Sequence, residues 1–202
     1  MLSESKIAVI GGGSWATALS KILLNNVKHI TWWVRREDTV KYIREFGHNP
    51  NYISSIEFDK EKLNVTSNLK ETIQNAEVIF LVIPSAFLHK AFSDAGITAE
   101  DLKDKIIVSA IKGIIPEFTL IPAAYLNEKF GVEHNNMAIV AGPCHAEEVA
   151  HERLSYLTIA TPTSGRAYAI GDLLKCRYIK VNKNDDLVGT EYSAIMKNIY
   201  AI

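Results

Sequence analysis

Residues 6–16 read Lys6-Ile7-Ala8-Val9-Ile10-Gly11-Gly12-Gly13-Ser14-Trp15-Ala16. An apolar, β-compatible run ends in three glycines, and a helix-compatible segment follows. The glycines fit the pattern G-x-G-x-x-G/A in the strand-to-helix context that gives it meaning. Gly11 permits a tight turn. Gly13 has no side chain, so a pyrophosphate can approach the backbone, and Ala16 is small enough for close helix–strand packing. The helix N-terminus adds unpaired N–H groups and a partial positive charge. The turn predicts dinucleotide binding; the competing reading is a glycine-rich structural turn.

Outward from this turn the chain alternates. Strands are predicted at Lys6–Ile10, His29–Val34, Asn64–Thr66, Val78–Ile83, Ile106–Ala110, Met137–Ala141 and Tyr156–Ala160, with a weaker one at Tyr178–Val181. Val78–Ile83 is apolar at every position, as in a strand covered on both faces. Helical patterns lie at Ser14–Asn26, Thr39–Glu45, Glu71–Asn75 and Val188–Ile202, and most stretches between the strands are helix-compatible. Such alternation predicts βαβ units and an α/β fold, a Rossmann-like, doubly wound, mainly parallel sheet. The segment Phe46–Phe58 has no clear period and reads as an irregular excursion over the sheet edge. The last helix ends in MKNIYAI without a capping glycine or polar tail, which predicts further protein to pack against it.

Composition narrows the function. The 202 residues carry 22 basic and 23 acidic side chains and are 48% hydrophobic. That balance lacks the footprint of a nucleic-acid binder or a polybasic membrane-surface protein. No apolar run approaches the ~18 residues of a membrane span, and the polar start does not read as a secretory signal. A cytoplasmic protein without membrane insertion is expected. Two cysteines outside any CxxC pair, with scattered histidines, predict neither a disulfide framework nor a metal site.

The remaining chemistry falls at strand ends. Arg35 and Arg36 follow the second strand, where NAD-selective sites usually carry an acidic residue. An arginine there can pair with a 2′-phosphate, which tilts the choice from NADH toward NADPH. Pro84-Ser85, Lys112-Gly113 and Gly142-Pro143-Cys144-His145 each follow a predicted strand, at the edge where open parallel sheets bind ligands. Lys112 and the backbone N–H groups near Gly142 suit an anionic or phosphorylated substrate. Cys144 reads as a small apolar thiol more than a nucleophile. Lys197 lies among Ile195, Met196, Ile199 and Tyr200. Apolar surroundings disfavour a charged lysine and fit it for general acid–base work; the bland alternative is a snorkelling side chain.

Taken together these segments resemble the N-terminal part of NAD(P)-dependent glycerol-3-phosphate dehydrogenases. The resemblance is carried by IGGGSWATALS (10–20), NPNYI (49–53), VIPS (82–85), AIKG (110–113), AGPCHAEEVA (141–150) and MKNIYAI (196–202). It implies hydride transfer between NAD(P)H and dihydroxyacetone phosphate, giving sn-glycerol 3-phosphate for phospholipid synthesis. It implies Lys197 as catalytic acid/base and Asn198 as a substrate contact. Lys112 would touch both substrate and cofactor, Gly142 and Cys144 the substrate. Ala146, Ser14, Trp15, Arg35 and Arg36 would join Gly11 and Gly13 at the cofactor.

The chain departs from the family at Ala16, often Gly, and at Cys144, often Ser. The family also continues into a helical substrate domain whose Asp and Arg have no counterpart here. Residues 1–185 are therefore expected to form the dinucleotide-binding domain and 186–202 the first helix of the second, making this an N-terminal fragment inactive by itself. An exposed apolar face on that helix predicts a homodimer or soluble aggregate. Two other readings remain at this point. One is a lysine-dependent Rossmann dehydrogenase of the 3-hydroxy acid type, which the basic Arg35 and AGPCHAEEVA disfavour. The other is a non-catalytic NAD(P)H-sensing module, which would not need both Lys112 and Lys197.

Overall fold

The computed structural model describes residues 2–200, with the side chains of 198–200 outside the description. The first half of the chain runs β1 (Ile7–Ile10), α1 (Ser14–Leu23), β2 (Ile30–Trp33), α2 (Glu37–Phe46), β3 (Leu63–Thr66), α3 (Leu69–Gln74), β4 (Val78–Leu81), α4 (Ser85–Asp94) and α5 (Ala99–Leu102). It continues through β5 (Ile106–Ser109), α6 (Pro122–Phe130), β6 (Met137–Ala141), α7 (Ala146–Ala150), β7 (Ser155–Ala160), α8 (Ser164–Leu174), β8 (Ile179–Asn184) and α9 (Leu187–Tyr200).

The strands form one sheet in the order β3-β2-β1-β4-β5-β6-β7-β8. Neighbours are parallel except β6 and β7, where Val140 pairs with Ile159 in antiparallel register. The order reverses between β2-β1 and β4-β5, which places helices on both faces of the sheet. Side chains alternate accordingly. In β1, Ile7 and Val9 join one core while Ala8 and Ile10 join the other. In β4, Val78 and Phe80 part from Ile79 and Leu81 in the same way. The first core is closed by α1, α2, α7 and α8, the second by α3 to α6 and by Leu187 of α9. The fold is thus the expected α/β, Rossmann-like, mainly parallel sheet.

Local chemistry sets the boundaries. Gly47, at φ 72°, ends α2 in the left-handed conformation that glycine adopts without a Cβ clash. Asn68 caps α3 by accepting from the Glu71 N–H. The first helix stops at Leu23, three residues before its predicted end. The weak strand read at Tyr178–Val181 runs instead from Ile179 to Asn184, its polar end held by full pairing with β7. No described helix is long and apolar enough to cross a membrane.

Candidate active site

The glycine turn sits where the order of strands reverses. Gly11 has φ 143°, and a Cβ there would run into the carbonyl of Val82 beyond β4. Its carbonyl accepts a hydrogen bond from the Trp32 indole (2.6 Å) and its N–H donates to the Trp33 carbonyl (3.1 Å). Gly11 therefore serves the fold, letting three strand ends meet. Gly13 differs. It precedes α1 in an extended conformation, and among the described residues a Cβ on it would meet no heavy atom within 4 Å. That open space, beside the first N–H groups of a ten-residue helix, is where an anion can be held.

A crevice of about 470 Å³ opens from this point. Gly13, Arg35, Arg36, Pro84 and Phe87 line it, with Asn51 and Tyr52 from the segment after α2. Arg35 is exposed and lies over the Phe87 ring, 5.8 Å from its centroid. The crevice therefore joins a positive charge and an aromatic face to the open glycine. Phe87, Asn51 and Tyr52 are absent from the sequence-based candidates. Pro84-Ser85 pointed toward Phe87; Asn51 and Tyr52 lie within NPNYI (49–53) but in a segment without a periodic signal.

A second crevice of about 480 Å³ lies at the ends of β5 and β6. It brings together Lys112, Gly142 and Lys197, with Thr158, Asn184 and Asp186 nearby. These two lysines are separated by 85 positions in the numbering, and only the packing of α9 beside β6 joins them. Both are exposed. Lys197 stands beside an exposed Met196 and a half-buried Ile195, and the side chains of Ile199 and Tyr200 lie outside the described residues. The helix turns its buried face, Leu187 and Glu191, inward and leaves the lysine at the crevice rim.

Other candidates are placed elsewhere. Ser14 and Trp15 begin α1 half-buried and line neither crevice. Ala146 is buried in the first core at the start of α7. Gly142 is required by packing, because a Cβ would strike the Tyr156 carbonyl of β7. The Cys144 thiol donates to that same carbonyl (3.0 Å), and burial pushes its pKa up. The thiol is thus held as a structural donor. The side chain of Asn198 lies outside the described residues.

Glu191 is a further finding. It is 1% exposed, and its Oε2 accepts the Ala123 N–H at the start of α6 (3.0 Å). Its Oε1 has no partner among the described residues. Burial pushes its pKa up to about 7, offset in part by the Ala123 N–H.

Comparison with known proteins agrees with this geometry. Residues 6–167 match the family described as NAD-dependent glycerol-3-phosphate dehydrogenase N-terminus. The chain is 32% identical over 199 residues to glycerol-3-phosphate dehydrogenase [NAD(P)+] of Limosilactobacillus reuteri (strain DSM 20016), covering 98% of this chain and 59% of that protein. Identity to the Alcanivorax borkumensis enzyme of the same name is 30% over 195 residues, covering 96% of this chain and 55% of that one. The crystal structure of glycerol-3-phosphate dehydrogenase from Coxiella burnetii superposes with a TM-score of 0.87 at 26% identity, covering 98% of this chain and 59% of that chain. The chain therefore spans little more than half the length of these relatives. With the glycine turn, the sheet and the family match in agreement, the chain belongs to the NAD-dependent glycerol-3-phosphate dehydrogenase family, to its N-terminal part.

Proposed function

We propose that this chain binds NAD(P)H in the first crevice and carries, in the second, part of the site that interconverts dihydroxyacetone phosphate and sn-glycerol 3-phosphate. The observation that carries this reading is the open Gly13 beside one crevice, with Lys112, Gly142 and Lys197 converging on the other. Gly11, Gly13, Ser14 and Trp15 form the turn that receives the pyrophosphate. Arg35 and Arg36 take the adenosine end, and Arg35 favours a 2′-phosphate and hence NADPH. Ala146 helps to shape the cofactor side through the packing of α7.

The cofactor supplies the hydride when bound. Lys197 donates a proton to the C2 oxygen of the ketone as charge builds there, and accepts it back in the reverse direction. Lys112 offers positive charge to the phosphorylated substrate and to the cofactor. Gly142 and Cys144 shape the substrate side through the backbone, and Asn198 contacts substrate. In the whole protein, residues 186–202 begin a helical substrate domain, which completes the site. The product would feed glycerophospholipid synthesis in the cytoplasm, and the protein would work as a homodimer.

The test is paired titration with NADPH and NADH, followed by nicotinamide fluorescence, with dihydroxyacetone phosphate then added. Saturable binding, tighter for NADPH, is expected without turnover, because the chain covers 59% of its relative. Absence of binding by both cofactors would overturn the reading.

A further inference from the structure

The segment between α2 and β3 has no periodicity, yet it is closely fixed. Asn49 is 0% exposed. Its amide nitrogen donates to the Gly12 carbonyl (3.1 Å) and to the Thr17 hydroxyl (3.0 Å). Its amide oxygen accepts from the N–H groups of Asn51 (3.0 Å) and Tyr52 (3.3 Å). Both donors are thus used, and the oxygen serves two N–H groups. The opposite amide orientation would set oxygen against a carbonyl and NH₂ against two N–H groups. The Thr17 hydroxyl donates onward to the Gly13 carbonyl (3.0 Å).

These bonds have a directional consequence. A peptide unit is planar and trans, so its carbonyl and its N–H point in opposite directions. Holding the Gly12 carbonyl toward Asn49 aims the Gly13 N–H the other way. Holding the Gly13 carbonyl toward Thr17 does the same for the Ser14 N–H. Both N–H groups belong to the turn at Gly13, where a Cβ would meet no described heavy atom within 4 Å.

The far side of the segment is anchored as well. Ile53 stands at φ 50°, a left-handed conformation that β-branched residues rarely adopt. Its side chain packs partly against the first core, and its carbonyl accepts the Ile56 N–H (3.1 Å). Strain of this kind persists only where the surroundings over-determine it, and it gathers at ligand clamps. Between the two anchors Asn51 and Tyr52 are exposed and line the first crevice.

We propose that Asn49–Ile56 is a cofactor clamp, and that Asn49 is the positioning residue that ties it to the phosphate-binding turn. The proposal rests on the reading of the first crevice as the NAD(P)H site. Asn49 touches no cofactor. An anion drawn to the Gly13 N–H polarises that peptide unit and strengthens the bond its carbonyl receives from Asn49. Binding at the turn then firms the clamp, and by linkage a firm clamp tightens binding.

The test uses this chain with NADPH and NADH as probes. Affinity is read by nicotinamide fluorescence, and amide exchange of residues 50–56 by mass spectrometry with and without NADPH, at a temperature where each variant is folded. The wild type should show cofactor-slowed exchange across 50–56. Asn49→Ala should weaken both cofactors by about 10-fold, the loss of roughly 1.4 kcal/mol of hydrogen bonding, and abolish the slowing. If Asn49→Ala does not fold, Thr17→Val, which removes one arm, and Tyr52→Ala, at the exposed tip, should each weaken binding by about threefold. A purely structural Asn49 predicts a lower melting temperature with unchanged affinity in the folded protein; that result, or exchange indifferent to cofactor, overturns the clamp. Failure of the wild type to bind either cofactor is a separate outcome. It defeats the functional reading, and the clamp with it.

Discussion

Gly11 and Gly13, two residues apart in one turn, answer to different demands, and a single methyl group separates them. Gly11→Ala places a Cβ against the Val82 carbonyl at a φ of 143°. A loss of more than about 3 kcal/mol is expected in urea unfolding. Gly13→Ala meets nothing within 4 Å. Its stability should change by about 1 kcal/mol or less, while the methyl group would occupy the space proposed for the pyrophosphate and weaken NAD(P)H by 10-fold or more, roughly. Fluorescence titration and urea melts of the pair would thus separate fold from binding. Arg35→Ala should weaken NADPH by about 10-fold and NADH by less than about threefold, as the loss of one charge-assisted contact. Cys144 shows the limit of residue types read alone. Its identity and loop position are visible in the sequence, but its partner, the Tyr156 carbonyl, lies across an antiparallel pairing that no local pattern announces.

At the scale of elements, α9 carries two groups with opposite environments. Lys197 is exposed at the crevice, whereas Glu191 is sealed against the start of α6. Its folded pKa of about 7 lies above the ordinary 4.5, so between those values the folded state keeps a proton that the unfolded state has released. The stability tied to this residue is complete below pH 4.5 and is lost as pH rises through 7. The loss approaches about 3 kcal/mol. Urea midpoints should therefore fall from pH 5 to pH 8, and Glu191→Gln should flatten that fall. Strands buried on both faces, such as β4, announce themselves by composition, as does the helix after the glycine turn. The polar end of β8 does not, because its neighbour β7 holds it in place. The Asn49 segment shows in the sequence only as NPNYI (49–53), a stretch of family resemblance, and not as structure: its order comes from partners 32 and 37 positions upstream, and hydrophobic period has no bearing on them.

For the whole molecule, the sheet separates two cores, and the central strands contribute to both. Amides of β1 and β4 should exchange only with global unfolding, and those of the edge strands β3 and β8 sooner, in native-state hydrogen exchange across a urea series. Alternation of strand and helix makes this plan legible in the sequence; the reversal of β7 is not. That reversal has a further result. Asn184 pairs with Ala160 and Ala160 with Ile139, so β8 delivers the chain level with the middle of β6 and heading away from the ligand edge. The way back is α9. At about 1.5 Å per residue, the run from Leu187 to Lys197 spans about 15 Å. The helix thus works as a ruler with an angular scale. One residue inserted into it would lengthen the reach by only about 1.5 Å but swing the lysine through about 100°, from the rim of the crevice to another side of the helix. The address of the proposed proton donor is therefore a residue count and a phase, set by a strand that runs the other way.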